Sequence, residues 1–234
     1  YRNNPEKSYQ TFTERTDVNS RVSTSLETDW SDVTSTRATL FWRDNSHGQI
    51  PSYSLGSCVP VSPATTCTTN GRQNDNSYTS YGVDSQVSHG LGFMDSRVIF
   101  GAGWDRTGND YDEDNLAVLR DSALRYLSYT VTGKRRRYDA LIDNPSLYFQ
   151  GEIKPLDKTT LVLGGRYDLI RYDFDNHLMP SSATGAPDEK REFSHFSPRL
   201  GVARELDREA ELFLNLSEGF VPPEVSQLYS SLDV

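Results

Sequence analysis

Apolar and polar side chains alternate with period two along almost all of this chain, and helical periodicity is hard to find. In "TLVLGGRYDLIRYDF" (160–174), Leu161, Leu163, Tyr167 and Leu169 fall on one side, and Gly164, Arg166 and Asp168 on the other. Extended backbone sends successive side chains to opposite faces, so such a stretch reads as a strand with one apolar and one polar face. In "REAELFLNLSEGF" (208–220), Leu212, Leu214 and Leu216 oppose Glu211, Asn215 and Ser217. Further apolar sets are Val22, Leu26 and Trp30; Ala38, Leu40 and Trp42; Tyr81, Val83 and Val87; Val98, Phe100, Ala102 and Trp104; Leu147, Phe149 and Ile153; and Leu200 and Val202. The pattern predicts about eight strands.

The connections alternate too. "SD" (31–32), "GLG" (90–92), "LDK" (156–158) and "DRE" (207–209) read as tight turns. Between them lie polar stretches, roughly 44–77, 106–142 and 174–194 with residues 1–17 in front, that read as long loops. In an antiparallel up-and-down sheet this places every short turn at one end and every long loop at the other. The prediction is an all-β chain: a segment of a transmembrane β-barrel with short periplasmic turns and long extracellular loops. Arg21, Glu27, Arg37, Arg166, Asp168, Arg199 and Glu205 then take the lumen face, because lipid does not tolerate them. A soluble β-sandwich would show the same alternation. Strand length, the sorting of connections by size, and Trp30, Trp42 and Trp104 near segment ends favour the barrel.

Only 35% of residues are apolar, yet 13 Tyr, 10 Phe and 3 Trp are too many aromatics for a chain that cannot fold. A net charge of −9 opposes nucleic-acid binding, which needs a basic face. The one basic run, "GKRRRY" (133–138), reads first as a solvated loop and second as a contact for an anion or a polar headgroup. No apolar run approaches the length of a membrane helix, and no signal pattern opens the chain. Neither absence counts against a barrel.

Cys58 and Cys67 flank "VPVSPATT", and a local disulfide in an oxidising compartment is favoured over two free thiols. Two thiols without a further His or Cys pair do not make a zinc site. The stretch 105–115 offers Asp105, Asn109, Asp110, Asp112, Glu113 and Asp114 as oxygen donors. It lacks the spacing of an EF-hand, so a solvated loop is preferred, with Asp110, Asp112 and Asp114 as weak calcium candidates. His47, His89, His177 and His195 are scattered away from any nucleophile, and the two G-x-G pairs precede no helix. Neither an enzyme nor a cofactor is expected.

One segment is more specific. "LNLSEGFVPPEVSQLY" (214–229) resembles the TonB-dependent outer-membrane receptors, in which "N-x-S-x-G-F" is followed by "x-P-P-x-x-x-x-L-Y". Asn215, Ser217, Gly219, Phe220, Pro222, Pro223, Leu228 and Tyr229 stand in those places, while Val221 replaces the usual Arg. "FSPRLGVARELDREAELFLNLSEGF", "LYFQGEIKPLDKTTLVLGGRYD" and "SLETDWSDVTSTRATLFWRD" resemble hairpins of the same barrels. The prolines lack ladder donors, so they are expected to end pairing and carry Leu228 and Tyr229 out toward the barrel mouth.

The resemblance implies a barrel of roughly 22 strands, closed by an N-terminal plug, in the bacterial outer membrane. It implies TonB-dependent active transport of a scarce substrate, foremost a ferric siderophore. The partners would be outer-membrane lipid, the iron chelate and the TonB complex acting through the plug. A passive porin or an adhesin-type barrel is the alternative. Neither plug nor TonB box is found, so residues 1–234 are expected to be an internal part of the barrel domain that starts inside an extracellular loop. Aromatic and polar loop tips capture large chelates, which nominates Tyr53, Tyr78 and Tyr229.

Overall fold

The computed structural model describes residues 13–51, 66–121, 125–206 and 210–230. Eight antiparallel strands lie in one sheet in the order of the sequence. They are β1 (Glu14–Ser31), β2 (Thr34–Ile50), β3 (Thr66–Leu91), β4 (Ser96–Asp121), β5 (Tyr126–Leu156), β6 (Thr159–Asn176), β7 (Glu189–Glu205) and β8 (Glu211–Ser217). A single helical turn, α1 (Val225–Leu228), follows. β1 and β8 are the two edges of an open sheet.

The register gathers each strand's apolar set onto one face. Leu26 lies opposite Ala38, Ala38 opposite Ser85, Ser85 opposite Ala102, Ala102 opposite Leu147, Leu147 opposite Tyr167 and Tyr167 opposite Phe196. The next row, on the other face, runs Glu27, Arg37, Gln86, Gly101, Tyr148, Arg166 and Ser197. Leu26, Leu147, Phe100, Leu163 and Leu214 on the apolar face are exposed. A β-sandwich would bury that face against a second sheet, and among the described residues no second sheet exists.

Aromatic side chains mark the limits of the apolar band. Trp30 sits beside the first turn, its indole nitrogen donating to Thr36 Oγ1 at 2.9 Å. Trp42 pairs opposite Val22, so the eight residue steps from Trp30 to Val22 along β1 span roughly 26 Å. Allowing for strand tilt, that is close to the thickness of a bilayer's apolar core. From the row of Trp42 onward the same face turns charged on the later strands: Arg171 pairs with Glu192 at 2.8 Å and, one step further, Lys190 with Asp173 at 2.6 Å.

Three expectations are corrected. The stretches 44–77 and 106–142 are largely strand, since β2 runs to Ile50, β3 begins at Thr66, β4 runs to Asp121 and β5 begins at Tyr126. These hairpins rise beyond the apolar band, where one face meets water and the other buries polar, charged and aromatic side chains together, so they carry no clean period-two signal, although the backbone ladder continues. Only 177–188 in the third stretch is a connection. "GKRRRY" therefore belongs to β5 and is no loop. The chain after β8 does not simply leave the sheet: it folds back under the polar face, with Val225, Leu228 and Tyr229 buried. The expected turn at 207–209 lies outside the described residues.

Two glycines are required by close approach. A Cβ on Gly82 would lie 2.4 Å from the Trp104 carbonyl oxygen and 2.6 Å from Phe41 Cζ. Gly185 has φ +108, and a Cβ there would meet the Tyr229 carbonyl oxygen at 2.8 Å.

Candidate functional site

The polar face is a wall of side chains that satisfy one another sideways. Tyr148 Oη donates to Asp84 Oδ1 at 3.0 Å, with Gln86 Oε1 at 3.2 Å. Arg166 Nε donates to Asp168 at 2.9 Å and its Nη2 to Ser146 Oγ at 3.0 Å. Arg43 Nη2 donates to Asp105 at 2.9 Å. A hollow of about 740 Å³ opens over this wall, lined by Asp84, Gln86, Tyr148, Arg166, Arg199 and Glu218. Charges held in such pairs stay on a hydrated concave surface at little cost, which makes the face a polar lining.

Toward the end where the long connections gather, the same face becomes aromatic. Tyr111 and Tyr138 stack at 5.0 Å, Tyr138 and Phe174 lie 5.0 Å apart, and Tyr229 stacks on Phe174 at 4.1 Å with planes 8° apart. The segment after β8 provides Tyr229, and its backbone is tied in as well. Tyr172 Oη donates to the Pro223 carbonyl at 2.8 Å, and Ala186 N donates to the Tyr229 carbonyl at 3.1 Å. Phe220 stacks on His195 at 4.8 Å, and the Arg191 guanidinium covers Tyr229 at 5.6 Å. Burial raises the Tyr138 phenol well above its ordinary value and pushes Tyr229 up to about 12. Both rings therefore stay neutral and act as packing surface.

Beside this platform lies a buried ion cluster. Glu113 on β4 is 1% exposed and is surrounded by Arg135 at 3.1 Å, Arg72 at 3.7 Å and Arg136 at 4.0 Å. Arg135 and Arg136 come from the basic run, and Arg72 arrives from β3. Sequence reasoning kept Glu113 among the acidic residues of a loop. Its burial follows from the pairing of β4 with β3 and β5, which no local motif announces.

The weak calcium candidates lie on the opposite face and do not converge. Asp112 and Asp114 both pair with Lys134, and Asp110 forms a carboxyl pair with Asp139. Among the described residues no group of acidic, His or Cys side chains is placed to hold a metal. The hydrogen bond with Asp139 and burial raise the Asp110 carboxyl above its ordinary value of 3.8, while Asp139, bonded to His177 as well, is lowered. The folded protein thus keeps the Asp110 proton to higher pH than the unfolded chain, so this group's contribution to stability falls as pH rises upward from about 3.8. Asp110→Asn is expected to flatten that fall. Thermal midpoints of both proteins measured between pH 4 and 7 check it; parallel pH profiles would contradict it.

The model of the TonB-dependent receptor-like β-barrel matches residues 1–232, nearly the entire chain. The chain belongs to the TonB-dependent receptor β-barrel family. Solved structures with the same fold include the ferric-catecholate import receptor Fiu of E. coli K12, with TM-score 0.66 and 13% identity over 93% of this chain and 38% of that one. FpvA of P. aeruginosa, solved with a heterologous pyoverdine and iron, gives 0.61 and 13% over 84% and 26%. The siderophore receptor PiuA of Acinetobacter baumannii gives 0.59 and 12% over 86% and 32%. This chain thus spans 26 to 38% of the length of these three structures. No curated protein sequence matches it significantly.

TonB-dependent receptors are outer-membrane transport proteins, and membership orients the sheet. The apolar face is the side such barrels turn to lipid, the polar wall lines the lumen, and the aromatic platform stands at the extracellular end. Asn215 and Ser217 lie on the lumen side of β8, while Phe220, Pro223, Leu228 and Tyr229 fasten the proline segment to the wall. Tyr78 is half-buried on the lumen side of β3 and accepts a hydrogen bond from Asn76 Nδ2 at 2.8 Å. Tyr229 is 3% exposed, so its ring area is already spent on Phe174 and Arg191. Tyr53 and Cys58 lie outside the described residues. Cys67 starts β3 opposite Arg120, and among the described residues there is no free thiol.

Proposed function

We propose that the protein imports a ferric siderophore across the bacterial outer membrane by TonB-dependent active transport, with residues 1–234 as part of its barrel domain. The observation that carries the reading is the family match over residues 1–232. The import of ferric catecholates named for Fiu and the iron-loaded pyoverdine on FpvA support the choice of cargo. The chelate would be captured at the extracellular end, where Tyr78 and loop residues such as Tyr53 offer ring area and hydroxyls. A plug domain, coupled to the TonB complex, would then open the lumen, and no covalent chemistry is required. A disulfide between Cys58 and Cys67 would brace the hairpin of β2 and β3 in that oxidising environment.

The test is uptake of radiolabelled iron from a panel of ferric chelates by cells that carry this receptor as their only iron transporter. Uptake of at least one chelate is expected, with loss of nearly all of it when TonB is deleted or the proton gradient is collapsed. Uptake that survives both treatments would make the protein a passive porin. Failure with every chelate would remove the siderophore reading.

A further inference from the structure

We infer that the upper end of β5 is a docking edge, to which an extended segment of another protein adds as a strand. The inference goes beyond transport and takes from that reading only that this end faces outside the cell. β5 pairs with β4 up to Tyr126, but its ladder with β6 stops at Tyr138, opposite Asn176. His177 N closes that ladder by donating to the Arg137 carbonyl at 2.9 Å. Above it, among the described residues, no strand lies on the second side of β5. Strand backbone points its donors and acceptors to both sides in turn, so this stretch offers a row of hydrogen-bonding groups to an incoming chain.

The side chains suit the same role. In "YLSYTVT" (126–132), Leu127, Tyr129 and Val131 alternate with Ser128, Thr130 and Thr132, and the run holds neither charge nor proline. Charges stand only at its two ends, in Arg125 and Lys134. Uncharged runs of β-branched and aromatic residues pair readily, and proteins ordinarily guard such a run at a sheet edge with a charge or a proline.

The neighbouring strand indicates what fits. Val131 lies opposite Leu116, and Tyr129 opposite Val118. Leu116 and Val118 are 1% and 0% exposed, in an apolar cluster with Tyr126 and Ile50, whereas Val131 and Tyr129 keep 47% and 40% of their surface open. The cluster thus stops partway across the sheet face, and one more strand would cover its flank. Lipid is excluded as the cover. Leu116 lies ten residue steps along β4 from Arg106, which shares the row of Trp42, so Val131 stands roughly 33 Å along the strand beyond the apolar band. The occupant is a strand with apolar side chains at alternate positions, like those β4 presents from the other side, contributed by a protein outside the cell.

The test uses the full-length protein in detergent micelles and a fluorescent peptide copying Glu113–Asp121 of β4, whose side chains already match this run in register. Saturable binding is expected by fluorescence anisotropy. The same peptide methylated on its backbone nitrogens should not bind, because it cannot continue a ladder. Val131→Lys, at an exposed position, should weaken binding about tenfold or more while the protein stays folded. Met179→Lys, at an exposed apolar site on the connection between β6 and β7, should change nothing. Hydrogen exchange gives a second readout: amides of the run that point away from β4 should exchange fast in the free protein and about tenfold more slowly with peptide bound. No binding, or equal binding by the methylated peptide or by Val131→Lys, overturns the docking edge. Slow exchange of those amides without peptide would show that the protein's own chain covers the edge, and dimers in micelles that Val131→Lys dissolves would assign it to a second copy. Either result removes the outside partner. None of these outcomes depends on which substrate the receptor imports.

Discussion

Gly82→Ala is expected to cost about 3 kcal/mol of barrel stability, near the upper end for inserting a methyl group into a packed site. The new Cβ would fall 2.4 Å from the Trp104 carbonyl oxygen, a backbone atom in the neighbouring strand. Phe41 Cζ, at 2.6 Å, could swing away, but the carbonyl can move only by displacing the ladder between β3 and β4. Gly108→Ala is the matched control, since nothing lies within 4 Å of a Cβ there. The midpoint of thermal unfolding, followed by the loss of strand signal or by electrophoretic mobility without boiling, should drop for Gly82→Ala and stay level for Gly108→Ala. Equal midpoints would mean that the strands yield to the methyl group without cost.

Phe174→Ala should release the proline segment from the lumen wall. Phe174 is 1% exposed and lies between Tyr138 and Tyr229, so its removal opens a cavity worth about 3–5 kcal/mol locally. The readout is hydrogen exchange at the amides of Leu228, Tyr229 and Ala186, which bond to Glu224, Val225 and Tyr229 carbonyls respectively. All three should exchange faster by orders of magnitude while the β3–β4 ladder is unchanged. Tyr229→Phe makes the complementary case. The Tyr229 hydroxyl is buried without a hydrogen-bond partner, so removing it should leave the segment as protected as before or slightly more so. Exchange as fast in Tyr229→Phe as in Phe174→Ala would show that the hydroxyl, and not ring stacking, holds the segment.

Both predictions concern features with very different visibility in the sequence. The strand faces were legible because one face meets an apolar medium and the other a polar one, so Leu161, Leu163 and Tyr167 had to alternate with Gly164 and Arg166. Gly82 carried no such mark, since its need arises from Phe41 and Trp104 on the two flanking strands. The upper hairpins were misread as loops for a related reason. Above the apolar band neither face meets lipid, and the buried face holds Asn109 and Glu113 as well as Tyr138 and Phe174, so polarity does not alternate cleanly.

The proline segment was recognisable, but its destination was not. Pro222 and Pro223 end the ladder on local grounds, because neither can donate a hydrogen bond. That Tyr229 then stacks on Phe174 depends on the 54 residues between them bringing β6 beneath it. Likewise "GKRRRY" could be seen as basic, yet nothing in it marked Glu113 as its partner.

By itself, then, the sequence determined what each strand's two faces must meet and, through one motif, the family. These are local properties, written residue by residue into side-chain polarity and backbone donors. The tertiary structure alone decided which distant residues meet: the lumen network around Tyr148, the aromatic platform under the proline segment, and three arginines closing on one buried glutamate. Such meetings are set by strand register, and register is a sum over whole ladders that no single stretch of sequence contains.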